Sequence, residues 1–142
     1  MNAEAIMARL EKKAGQRVAA LALELHADWR ETLSQPGTGR MYGTHQASAP
    51  GEAPAVDSGL LRNSLHANMV DPLTWEVGFA SVPYPDGSAT TGEVAVWMEY
   101  GYELGERTRI KSKRTYKRTE LAPRPHARPT LDAFKARKKG KV

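Results

Sequence analysis

The stretch NAEAIMARLEKKAGQRVAALALELHADWRETLS, residues 2–34, decides how this chain begins to fold. Ile6, Leu10, Ala14, Val18, Leu21, Leu25, Trp29 and Leu33 recur every three or four residues, the spacing that lines one face of an α-helix. Arg9, Lys13, Arg17, Glu24, Asp28 and Glu31 fall off that line. Asn2 suits the N-cap, and Glu4 in the first turn complements the positive end of the helix dipole. Gly15 weakens the middle by roughly 1 kcal/mol relative to alanine, and Pro36-Gly37 stops the element. A helix of about 30 residues is roughly 45 Å long. That is long for a small domain, so part of the apolar stripe is expected to face a neighbouring subunit.

Residues 35–56 are rich in Gly, Pro, Ser, Thr and Ala and show no apolar period, so they form a long loop, functional or disordered. Asp57-Ser58 makes a helix start with Asp57 as N-cap, and Leu60, Leu61, Ser64 and Leu65 give a short amphipathic helix with Arg62 exposed. His66 to Val70 turns extended, Asp71-Pro72 makes a turn, and Thr74 to Phe79 alternates, which puts Trp75, Val77 and Phe79 on one face of a strand. Pro83 to Gly92 is a second loop. Val94 to Gly101 reads as a short helix with Gly101 in the C′ position, a strand being the alternative. Residues 105–122 alternate basic with small or apolar groups and suit a hairpin with one charged face. Pro129 can open a last helix, Thr130 to about Lys138, with Leu131 and Phe134 on one face. The expected fold is a single α+β domain over residues 1–142: a long N-terminal helix, a short middle helix, a small antiparallel sheet and a C-terminal helix, joined by long loops.

The chain has no cysteine, which excludes a disulfide scaffold, thiolate catalysis and Cys-based zinc sites. No apolar run reaches bilayer-spanning length. Glu4, Arg9, Glu11, Lys12 and Lys13 interrupt the only apolar stretch near the start, so the pattern of a signal peptide is missing. The expectation is synthesis in the cytoplasm and no membrane partner. Charge is polarised: residues 1–104 carry 7 Lys/Arg against 13 Asp/Glu (−6), and residues 105–142 carry 14 against 3 (+11). Such a chain binds polyanions through its basic end, or copies of itself, basic end to acidic body. His26, His45, His66 and His126 are scattered, without metal-ligand spacing, and neither a Gly-x-Ser-x-Gly elbow nor a P-loop is present. No catalytic residue, cofactor or metal ligand is therefore expected.

Three segments together carry a resemblance. Pro50-Gly-Glu-Ala-Pro-Ala-Val-Asp57-Ser-Gly-Leu60-Leu-Arg62-Asn-Ser64-Leu65 resembles the "PGxPPxxDTGxLRxSI" segment of the minor tail and neck proteins of long-tailed bacteriophages of lambdoid and Mu-like types. Val96-Trp97-Met98-Glu99-Tyr100-Gly101 is similar to that family's "YxxxxEYGT", and Arg124-Pro125-His126-Ala127-Arg128-Pro129-Thr130-Leu131 to its "ARPFLRPAL". Order and rough spacing agree over about residues 2–138. His126 and Ala127 stand where the family has a large apolar pair, which implies a less deeply buried C-terminal anchor. Residues 105–122 look longer and more basic than the family norm.

The resemblance implies a structural virion protein made in the host cytoplasm. It implies a homo-oligomeric ring at the neck or tail end, six-fold or with twelve copies, around the DNA channel. Neck, head-closure, tail-terminator or tail-tube proteins would be its partners. The candidate docking residues are Pro50, Gly51, Pro54, Asp57, Arg62, Glu99, Tyr100, Arg124 and Arg128. Pro50-Gly51 and Pro54 stiffen a loop end, which lowers the entropy lost on docking. Arg62 is a candidate partner for Glu99 or for an acidic residue of the next subunit. Arg124 and Arg128 can reach carboxylates or phosphates with two donors each. Arg107, Arg109, Lys111, Lys113, Arg114, Lys117 and Arg118, with Tyr116 interleaved, are candidates for contact with DNA or an acidic partner. The rival readings are a non-specific nucleic-acid-binding protein and a tail-assembly factor absent from the particle.

Overall fold

The computed structural model describes residues 2–104, 107–109, 114–116 and 119–140; for residues 104, 107–109, 114–116 and 119 it describes the backbone alone. Helix α1 spans Ala3–Thr32, and the Asn2 side chain accepts the Ala5 N–H at 2.9 Å, as the sequence anticipates. The helix ends four residues before Pro36. The Thr32 and Ser34 hydroxyls bond back to the carbonyls of Asp28 and Arg30, and Leu33 turns inward, 2% exposed.

Strands β3 (Leu65–Asp71) and β4 (Thr74–Phe79) form an antiparallel hairpin with Leu65 opposite Phe79, Ala67 opposite Val77 and Met69 opposite Trp75. Trp75, Val77 and Phe79 share the less exposed face, and Phe79 meets Trp29 of α1 edge to face at 5.3 Å. Gly15 has a use beyond its low helix propensity. A Cβ there would lie 2.7 Å from the Pro72 carbonyl oxygen, so the glycine lets the β3–β4 turn lie against α1.

Residues 35–56 are more structured than expected. Strands β1 (Met41–Tyr42) and β2 (His45–Gln46) pair around Gly43, at φ +62°. Gly39 and Ala47 are joined by a backbone hydrogen bond of 2.8 Å. The Glu52 carboxylate accepts from the backbone N–H groups of Thr38 and Ala49 and from the Thr38 hydroxyl. The absence of an apolar period concealed this, because polar and backbone bonds organise the segment.

Helix α2 (Leu60–Asn63) also differs from expectation. Its N-cap is Gly59, at φ +81°, and the Ser58 hydroxyl accepts the Leu60 N–H, so Asp57 does not cap it. Helix α3 (Thr91–Tyr100) starts three residues earlier than expected. Thr90 and Glu93 form a reciprocal capping box, a Thr-x-x-Glu signal present in the sequence. Strand pairs β5–β8 (Tyr102–Leu104, Thr119–Leu121) and β6–β7 (Arg107–Arg109, Arg114–Tyr116) are antiparallel and nested, in keeping with the expected hairpin but opening earlier, at Tyr102. Helix α4 runs Ala127–Lys139. Pro129 is its third residue rather than its first, still among the positions whose N–H has no partner within the helix. The covered face of α4 is Thr130, Phe134 and Lys138, spaced by four; Leu131, expected to share a face with Phe134, is exposed.

The architecture is α+β, with four helices and small antiparallel sheets among the described residues. No helix among them is long and apolar enough to cross a membrane. Residues 2–14 of α1 are exposed throughout, including Ile6, Met7 and Leu10, at 44, 56 and 57%. A Gly15→Val substitution is expected to destabilise the protein by about 1–3 kcal/mol through overpacking against Pro72, seen as a lower thermal midpoint with α1 retained in circular dichroism.

Candidate functional site

The start of α4 has no side-chain cap of its own. Four backbone N–H groups at a helix start lack partners within the helix and need acceptors from elsewhere. Glu99, in the last turn of α3, supplies them. Its Oε2 accepts from the His126 and Ala127 N–H groups at 2.8 and 2.9 Å, and its Oε1 from the Arg128 N–H at 3.1 Å. The negative carboxylate also opposes the positive end of the α4 dipole. Burial pushes the Glu99 pKa up, but these three bonds and nearby His126 outweigh that and hold it below the usual glutamate value.

His126 sits at the centre, 1% exposed. The Trp29 indole N–H donates to its Nδ1 at 2.9 Å, and its Nε2 lies 3.0 Å from the Ala95 carbonyl oxygen. Indole N–H is only a donor, so Nδ1 must be bare, and Nε2 carries the proton and donates to Ala95. The ring also packs edge to face on Phe79 at 5.5 Å and, tilted, on Trp29 at 5.8 Å. The expectation of a shallow C-terminal anchor at His126 is therefore corrected. An imidazole with both nitrogens satisfied is buried as readily as an apolar side chain.

The three motif segments converge around this centre. Gly101, at φ +72°, turns the chain out of α3 so closely that a Cβ would meet the Leu121 carbonyl oxygen at 2.4 Å. The Arg124 N–H bonds to the Met98 carbonyl at 2.6 Å. The Arg124 side chain donates to the carbonyls of Ser48 and Ala122, and the Gly51 N–H to that of Pro123. A cavity of about 450 Å³ opens between them, bounded by Pro54 and Leu61 of the first segment, Trp97 and Met98 of the second, and Arg124 of the third.

Two expected pairings take another form. Arg62 does not reach Glu99, whose oxygens are turned to the start of α4. It donates to the Ser34 hydroxyl at 3.5 Å, and its Nε is buried without a partner among the described residues. Arg124 spends its donors on backbone carbonyls within the chain. Pro54 is buried; Pro50, Gly51, Asp57, Arg128 and Tyr100, the last 66% exposed, face outward. Asp57 lies close enough to Tyr84 that its charge adds to burial in raising the phenol pKa. Lys111, Lys113, Lys117 and Arg118 lie outside the described residues, and Arg107, Arg109 and Arg114 are placed on β6 and β7 by backbone alone. Among the described residues no group of three or more His, Asp or Glu is placed to hold a metal ion. Sequence reasoning missed the Trp29–His126 pair. The available signal was that a buried indole N–H needs an acceptor.

Comparison with known proteins returns no match, whether to family models, curated proteins or solved structures. The described geometry is a cluster of converging segments around a buried histidine.

Glu99→Gln is expected to lower stability by about 1–3 kcal/mol in urea titration, whereas Tyr100→Ala stays within about 0.5 kcal/mol. Because the folded Glu99 pKa is depressed, its contribution is present above the ordinary value near 4.5 and lost as pH falls through the folded value. The Gln variant should therefore show a shallower loss of stability with acid.

Proposed function

We propose that the chain is a structural subunit of a long-tailed phage, assembled as a ring at the head–tail junction around the DNA channel. The observation that carries an assembly role is the uncovered half of α1. The apolar stripe packed by the body from Val18 onward continues through Leu10, Met7 and Ile6, which are exposed among the described residues. An apolar stripe on a projecting helix is expected to be covered by a partner. The resemblance of the 50–65, 96–101 and 124–131 segments supplies the kind of assembly. A closed ring uses two different patches, one from each neighbour. The projecting end of α1 and the cavity between the motif segments are two such patches. Six copies follow from the symmetry of a tail tube, with twelve as the alternative. The neighbours would be neck, head-closure, tail-terminator or tail-tube proteins of the virion.

A second reading is favoured by one observation, the seven Lys/Arg among residues 107–118. On that reading the chain binds nucleic acid without sequence preference, and filter binding falls steeply with salt. Retention of DNA at low salt by a chain that stays monomeric supports it.

Sedimentation and electron microscopy test the ring. The purified chain is expected to form closed oligomers, the Ile6→Asp/Leu10→Asp variant to remain monomeric with unchanged helix content, and labelled particles to carry the chain where head meets tail. A chain absent from that junction would overturn the proposal.

A further inference from the structure

We propose that His126 is a pH-operated latch that holds α4 against α1 and α3 while neutral and releases α4 when protonated. This inference is independent of the ring. The neutral imidazole joins three helices: Trp29 of α1 donates to Nδ1, Nε2 donates to the Ala95 carbonyl of α3, and the ring stands at the head of α4. Protonation places a hydrogen on Nδ1, facing the indole hydrogen across the same 2.9 Å. Neither atom can then accept, so the imidazolium and the Trp29 bond exclude each other.

The charges around the ring do little to rescue the cation. On α3, Glu99 lies 3.9 Å from Nε2, but its oxygens are engaged by three N–H groups. On α1, Glu24 and Asp28 are taken by Arg137, and Glu24 also by Lys138, while His26 meets the Leu65 carbonyl. On β4 the ring meets Phe79, and Glu76 lies on the exposed face. On α4 itself Arg128 is exposed. Burial accordingly depresses the His126 pKa, with the Ala95 bond and Glu99 only partly opposing it.

Beyond the Glu99 cap at its start, the rest of α4 is lightly held. Its buried residue is Thr130, whose hydroxyl meets that of Thr32 at 2.8 Å, and its ion pairs with α1 are partly exposed, which limits what they contribute. Once the His126 contacts are lost, the Glu99 cap and these pairs are left to hold α4, so it opens before the α1–β3–β4 packing gives way.

The released imidazole titrates near 6.5, above its docked value, so docking is fully favoured above that pH and weakens as pH falls. Each pH unit below 6.5 multiplies the open fraction by up to about ten until the docked imidazole itself titrates. Between about pH 7.5 and pH 5 the change is at most about thirty-fold.

Amide hydrogen exchange on the full chain, corrected for intrinsic rates, reads this directly. Across that range, protection in 127–139 is expected to fall, by no more than about thirty-fold, while 65–79 stays protected. His126→Gln, whose amide can accept from Trp29 and donate to Ala95, should keep α4 protected and abolish its pH dependence. Should that variant not fold, nitrogen NMR of the wild-type imidazole decides. A ring that titrates while α4 remains protected overturns the latch, as does equal pH dependence in His126→Gln or simultaneous loss of both segments.

Discussion

A helix that begins without its own cap must borrow an acceptor, and α4 borrows the carboxylate of Glu99. Much of the chain's arrangement follows from that loan. Glu99 can serve only if α3 ends beside the start of α4, which requires the tight exit at Gly101 and the strand pair β5–β8 that returns the chain. The same geometry sets His126 against Ala95 and under Trp29, so α1, α3 and α4 share one buried polar centre. That centre is fully hydrogen-bonded, the condition under which a polar group can sit inside a core this small.

Among the described residues, the buried hydrophobic side chains Ala22, Leu33, Leu65 and Ala95 are joined by five buried polar ones, including Thr91 and His126. With so little apolar volume enclosed, directional bonds carry more of the specification than in a leucine-rich core. Thr91 shows the same logic at the other end of α3: its hydroxyl donates to the Ala80 carbonyl and accepts the Val82 N–H. These bonds tie the loop after β4 to the first turn of the helix. Such networks define geometry sharply, and each loses much when one member is removed.

The apolar surface tells a complementary story. The stripe on α1 is one continuous sequence feature, yet the body covers only its later part. Gly15 marks the boundary, where the Pro72 turn rests on the helix. Beyond it the helix projects with Ile6, Met7 and Leu10 uncovered. Met69 and Leu73, on and just after β3, are exposed as well. This imbalance between a small interior and an uncovered helix underlies the assembly reading. On that reading the missing apolar contacts come from other subunits.

The sequence by itself determined the elements governed by local rules. The 3.6-residue period and Asn2 set α1, alternation set β4, and Gly101 set the end of α3, because each depends on neighbours within a few residues. It also supplied the order of the three segments on which the phage resemblance rests. Only the tertiary structure decided that Glu99 caps a helix 27 positions away in the chain, that Arg62 turns to Ser34, and that Asp57 leaves its helix uncapped. It alone made His126, with Thr91, one of the two fully buried side chains among the described residues rather than a shallow anchor. The physical reason is common to all four. A polar side chain's partner is chosen by which backbone groups the folded chain leaves unsatisfied nearby, and no local pattern encodes that.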